Sequence, residues 1–191
     1  MSHPPPLVLS YSCRLSALEK ERQWTLSAES LSWQAENFQD STPLSEIVEI
    51  RLMCTPTRFE PNMFRCQVRT RGGKSWECKS HHFAGFAEFE DRSEAYRDFV
   101  ENLVHRVAAR NPACAFIGGT SWLTWLFNTI FLCGSLLVLA VVMFFMYSAI
   151  GWLVLVKLMI VVFLLPRAFR WMARNKPSRF DPRLIPPTLI P

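Results

Sequence analysis

What the second half of this chain lacks is charge. The 26 residues from Trp122 to Tyr147 contain no Asp, Glu, Lys, Arg or His. As a helix they would extend roughly 39 Å, more than the hydrocarbon core of a bilayer at about 30 Å. A second apolar run, Trp152 to Leu165, holds a single charge, Lys157, and stays compatible with a helix to about Trp171. The only break between the runs is Ser148–Gly151, long enough for a tight turn and little else. Helices in a soluble core normally keep a polar face, and neither run has one. The pattern predicts a transmembrane α-helical hairpin over residues 121–173.

Acidic residues are also scarce there. Residues 111–191 carry one Asp or Glu against seven Lys and Arg, whereas residues 1–110 carry 15 against 14. The basic character therefore belongs to the flanks of the apolar runs, which argues against a nucleic-acid partner. Arg167, Arg170, Arg174, Lys176, Arg179 and Arg183 follow the second run, Arg106 and Arg110 precede the first, and the turn has no charge. The positive-inside rule then predicts a two-helix multi-pass protein of the inner (plasma) membrane with both termini cytoplasmic. Met1–Pro6 has neither the basic nor the apolar region of a signal peptide. The six cysteines include no Cys-x-x-Cys pair, and a cytoplasmic setting is reducing, so free, mostly packed thiols are expected. Gly72–Gly73 and Gly118–Gly119 are isolated pairs rather than a phosphate-binding loop. No cofactor is implied.

What is present before residue 110 is alternation. Leu7, Leu9, Tyr11, Cys13 and Leu15 repeat every second residue, the period of a half-buried strand. Trp24–Ala28 and Leu31–Trp33 alternate around Glu29–Ser30 as a hairpin, and Ile47–Met53 is a further strand. Residues 35–43, 55–62 and 81–89 read as turns or loops, the last rich in aromatics. The clearest hairpin joins 63–70 to 74–80 through Arg71–Gly73. That loop length sets Val68 opposite Trp76 and Cys66 opposite Cys78. Asp91 and Glu94 have the spacing of a helix start. Tyr96, Phe99, Val100, Leu103, Val104 and Val107 form an apolar stripe at helical spacing up to about Arg110, where Asn111–Pro112 ends it.

The expected fold class is α+β: about six short antiparallel strands, then one amphipathic helix, then the membrane hairpin. The runs Trp24–Trp33 and Leu44–Leu52, the Gly72–Gly73 hairpin and Tyr96–Leu103 together resemble a bacterial pleckstrin-homology-like (PH-like) domain. The resemblance covers about residues 7–110. It implies a bent antiparallel sheet closed by a C-terminal helix, tethered to inner-membrane helices, with no catalytic motif. The expected organisation is a Pro-rich lead at 1–6, the PH-like domain at 7–110 and a linker at 111–120. The hairpin at 121–173 and a basic, Pro-rich, irregular tail at 174–191 complete it.

The candidate binding residues are basic. Arg65, Arg69, Arg71, Lys74 and Lys79 share the polar face and tip of the clear hairpin, where they suit anionic lipid or an acidic partner. Near an anionic leaflet each such charge contributes about 1 kcal/mol; a solvated face partly neutralised by Glu77 is the plainer reading. Lys157 is the one ionisable group within the apolar runs. It lies about six residues past the turn, so it can snorkel to the headgroups or meet a partner helix. Asn128, with Thr124 and Ser135, offers polar contacts on the first helix. Trp122, Trp125, Trp152 and Trp171 suit interface anchoring. Cys78-x-x-His81-His82 has a metal-like spacing but no second half, so no metal is expected.

Two function classes follow. One is a membrane-anchored, non-enzymatic interaction or scaffold module, such as a small subunit of an inner-membrane complex, with membrane lipids and another membrane protein or a second copy as partners. The alternative is a component of a transporter or envelope enzyme, with a site formed by oligomerisation around Lys157.

Overall fold

The structure is a computed structural model describing residues 8–14, 16, 19–36, 38–57, 60, 62–85, 88–146, 162, 165–166 and 168–191. The chain divides into two compact units, Met1–Gly119 together with Ser178–Pro191, and Thr120–Pro177. The fold is α+β with mostly antiparallel sheets.

The first unit opens with an antiparallel meander: β1 (Leu9–Cys13), β2 (Arg22–Leu26), β3 (Ser30–Ala35) and β4 (Phe38–Pro43), paired in that order. The alternation at 9–13 and 22–26 drives it, because Tyr11, Cys13, Trp24 and Leu26 are buried while the residues between them are not. Trp24 and Trp33 face each other across β2 and β3. The expectation of a turn over 35–43 is corrected here. Phe38–Pro43 pairs with β3 along its whole length, although its buried side chains are so few that hydropathy alone gives no strand signal.

A second meander follows: β5 (Ile47–Cys54), β6 (Phe64–Thr70) and β7 (Ser75–Lys79). Its register is the expected one, with Val68 opposite Trp76 and Cys66 opposite Cys78. Gly73 takes φ +80° in the turn, the left-handed region where a Cβ is penalised. The expected aromatic loop at 81–89 instead holds a further antiparallel strand pair, β8 (His81–Gly85) with β9 (Glu88–Asp91). Phe83 and Phe89 meet across it edge to face, with centroids 5.6 Å apart.

Helix α1 (Ser93–Arg110) buries the whole predicted stripe, Tyr96 to Val107. Asp91 accepts the Ser93 N–H at 2.9 Å, satisfying one of the open donors of the first turn. At the other end the Asn111 side chain donates to the Ile47 and Ser45 carbonyls, fixing the helix end to the start of β5. Tyr11 packs on Tyr96 and Phe99, and Trp24 on Trp76, so the core lies between the meanders and the helix.

The predicted linker at 111–120 also needs correction. It contains β10 (Ala115–Gly118), which lies beside β5 and runs parallel to it. Parallel neighbours need a long crossover, and here the path from β6 through α1 supplies it. The predicted irregular tail is part of the same unit. β11 (Ser178–Arg179) pairs antiparallel with β10, giving the sheet order β11-β10-β5-β6-β7. Phe180, Leu189 and Ile190 are buried in the core, and the Phe180 ring meets Phe116 at 6.0 Å. Prolines punctuate this segment into turns, such as the Leu189 N–H to Pro186 carbonyl bond, without keeping it from docking.

The second unit contains α2 (Trp122–Met146). Its N-terminus is capped by Ser121, whose hydroxyl accepts the Thr124 N–H. Residues Trp122–Val142 are apolar and long enough to cross a membrane, and none of that span is buried. Half-buried positions recur at Trp125, Asn128, Thr129, Leu132, Leu136 and Leu139, one narrow stripe at helical spacing. Residues 168–174 are helical and lie beside the start of α2. The Trp125 indole donates to the Met172 carbonyl at 3.1 Å, and the Thr120 N–H to the Asn175 carbonyl at 3.1 Å. The expected turn at Ser148–Gly151, Trp152 and Lys157 lie outside the described residues.

Candidate interaction surface

Strand alternation sorts β5, β6 and β7 into a core face and an outer face. Ile50, Leu52, Cys66, Val68, Trp76 and Cys78 point inward. Register then builds the outer face row by row. Glu49 stands opposite Arg69, Arg51 opposite Gln67, and Arg65 opposite Lys79. Arg65, Arg69 and Lys79 therefore share one surface, as predicted, while Arg71 and Lys74 sit at the turn.

The surface is less free than the sequence suggests. Glu49, only 12% exposed at its side chain, is shared by Arg51 at 2.9 Å and by Arg69. Arg65 pairs with Glu77 at 3.4 Å, and Lys74 reaches Asp40 on β4 at 2.7 Å. The Lys74 ammonium holds the Asp40 carboxyl below its usual range. Burial, with Arg65 alongside, pushes the Lys79 ammonium below its ordinary value. Among the described residues no carboxylate pairs with the exposed Arg71 guanidinium. Exposed pairs of this kind contribute roughly 0.2–1 kcal/mol and exchange partners readily.

Two further cations belong to this face. Arg51 was legible in the alternation of Glu49–Leu52, which sends Glu49 and Arg51 outward together, while a register shift after Ile47 keeps that residue buried. Arg179 was not, because its place depends on β11 lying beside Ile117. The outer face thus carries Arg51, Arg65, Arg69, Lys79 and Arg179 against Glu49 and Glu77.

The thiols and histidines are placed differently. Cys66 and Cys78 are free, buried neighbours across the hairpin. The Cys66 hydrogen bond and burial raise the Cys78 thiol well above its usual pKa, the opposite of an activated nucleophile. His81 does not turn toward Cys78. Its Nδ1 lies 2.9 Å from the Ser80 Oγ and its Nε2 3.3 Å from a Glu60 oxygen. That serine–histidine–carboxylate order is the one a nucleophilic triad uses. Here Ser80 is fully buried and its Oγ accepts the Phe64 N–H at 2.9 Å. Among the described residues, no group of three or more His, Cys, Asp or Glu is placed to hold a metal ion. Asn128 lies on the half-buried stripe of α2, which also carries Thr129; the Thr129 hydroxyl donates to the Trp125 carbonyl at 2.8 Å.

In comparisons with known proteins, no family model and no curated protein matches the chain.

Proposed function

We propose that the chain is a membrane-anchored, non-enzymatic interaction module of the inner membrane: a PH-like domain held at the surface by a two-helix hairpin, with both termini cytoplasmic. The observation that carries this reading is where the apolar segment begins and ends. The chain leaves the β-rich unit at Gly119 and rejoins it at Ser178, where β11 pairs with β10. A tail separated from β10 by a bilayer could not make that pair, which supports an even number of crossings. The bare apolar surface of α2 favours two over none, since large exposed side chains such as Leu123, Phe127 and Phe131 want a hydrocarbon solvent. The asymmetry of basic flanks favours the cytoplasmic side for both ends.

The element order supports the PH-like reading. A four-strand meander, a three-strand meander and a closing helix stand in succession, with the β8–β9 pair and the β10–β11 pair as additions. The module docks through its outer basic face, with Arg65, Arg69, Arg71, Lys74 and Lys79 as the contact residues and an anionic lipid surface as the partner. A neighbouring membrane protein, or a second copy, packs on the hairpin. Reporters fused to the N-terminus, inserted at residue 149 and fused to the C-terminus test the topology in whole cells. The expected pattern is in, out, in. An external signal from either terminus would overturn the reading.

A further inference from the structure

The tail is bound to its domain like a peptide ligand. β11 contributes two paired residues, Ile117 to Arg179 and Gly118 to Ser178, and the Phe180 N–H donates to the Phe116 carbonyl. The apolar anchors lie further along. Phe180 seats against Phe116, and Leu189 and Ile190 complete the core. Gly118 is the notch that receives Leu189: a Cβ built there would lie 2.6 Å from the Leu189 Cδ1. These contacts join residues 60 or more positions apart in sequence, and the whole apolar segment lies between them. In the second unit the Asn175 carbonyl accepts the Thr120 N–H, so the two ends of that segment are pinned to each other. A tail emerging there finds its own β10 at high effective concentration and needs little intrinsic affinity.

We propose that Ser178–Pro191 is a latch that completes the β-rich unit only when the apolar segment has crossed the membrane and returned. Folding of the unit then reads out an even number of crossings. The proposal rests on the two-crossing hairpin proposed above. Residues up to Gly118 are synthesised first and leave the outer edge of β10, with its Gly118 notch, open. The tail is synthesised after the apolar segment. A chain whose second run fails to insert back presents its tail on the far side, and the edge and core stay incomplete. An open strand edge beside exposed apolar side chains is the signature that proteases and aggregation act on, so incorrectly inserted chains are marked for removal by the same contacts that stabilise correct ones.

The test uses the full chain in inverted membrane vesicles, with trypsin digestion of residues 8–119 as the readout. One variant deletes residues 152–171, leaving one crossing. Another keeps two crossings but replaces 152–165 with an unrelated apolar helix of the same length. The latch requires cleavage on the order of tenfold faster in the deletion variant, because opening of the paired strands limits digestion, and near wild-type resistance in the replacement. A deletion variant as resistant as the wild type overturns the latch. So does a replacement variant as sensitive as the deletion. Labelling of the wild-type C-terminus is a separate arm: a tail found opposite the N-terminus sinks the hairpin reading itself, whatever the digestion rates.

Discussion

Gly118→Ala probes the tail contact at the scale of one methyl group. Gly118 does not have the positive φ of Gly119, which is +81°, so alanine fits the backbone. Alone, that would stabilise by about 0.4–1 kcal/mol through the unfolded chain. Space is the obstacle: the new Cβ would meet Leu189 Cδ1 at 2.6 Å and Cδ2 at 3.2 Å, inside the 3.5–4.0 Å at which carbons attract. Leu189 is buried, so its methyl groups have little room to give; overpacking costs about 1–3 kcal/mol, and the net effect is a loss of up to about 2.6 kcal/mol. Leu189→Ala alone should cost about 2–3 kcal/mol, the lower part of the range for such truncations. The double variant should recover the clash, giving a favourable coupling of about 1 kcal/mol or more. Urea denaturation of the full chain in mild detergent, followed by the fluorescence of the buried Trp24 and Trp76, measures each corner of the cycle. Additivity within about 0.5 kcal/mol would mean that Leu189 does not occupy the Gly118 notch.

Three further outcomes follow from particular side chains. Arg69→Ser, Arg71→Ser and Lys74→Ser together should leave the urea midpoint within about 0.5 kcal/mol equivalent while weakening binding of the reconstituted protein to anionic vesicles, with the difference shrinking as salt is added; unchanged vesicle binding at low salt would leave the strip a solvated face. Cys78→Ser should destabilise by about 1–2 kcal/mol, because it buries a hydroxyl beside Cys66 in an otherwise apolar setting, and Cys78→Ala should cost less; the reverse order would refute an apolar environment. Burial raises the Cys114 thiol from 9.0 to about 11. The folded state therefore keeps a proton that the unfolded chain releases, and the stabilising contribution, complete below pH 9, is lost as pH rises toward 11; Cys114→Ala should flatten this alkaline decline in a urea titration series.

Local patterns were legible wherever a side chain's neighbours lie close in sequence. The stripe of α1 and the register of Cys66 with Cys78 both follow from spacing, and both are found in place. β4 was not legible, because Gln39-Asp-Ser-Thr carries almost no hydropathy. It is a strand because β3 offers it an open edge. Likewise β8 and β9 pair through backbone and one phenylalanine contact, which a run of glycine, alanine and aromatics does not announce.

The hardest elements to read were β10 and the tail, and the reason bears on function. Ala115-Phe-Ile-Gly looks like the start of the apolar run that follows it, and the tail's prolines look like disorder. β10 is a strand because it lies along β5, and the tail gains its structure by pairing with β10 across the apolar segment. The same contact moves Arg179 from a tail expected to be irregular onto the outer face that carries Arg51 and Arg65, so residues on both sides of the apolar segment build that face. If the surface docks on anionic lipid, its full charge exists only with the tail in place. Arg179→Ser should then weaken vesicle binding as much as Arg69→Ser does, and removing residues 178–191 should weaken it more than either. Equal binding by the truncated and intact chains would separate the docking face from the tail.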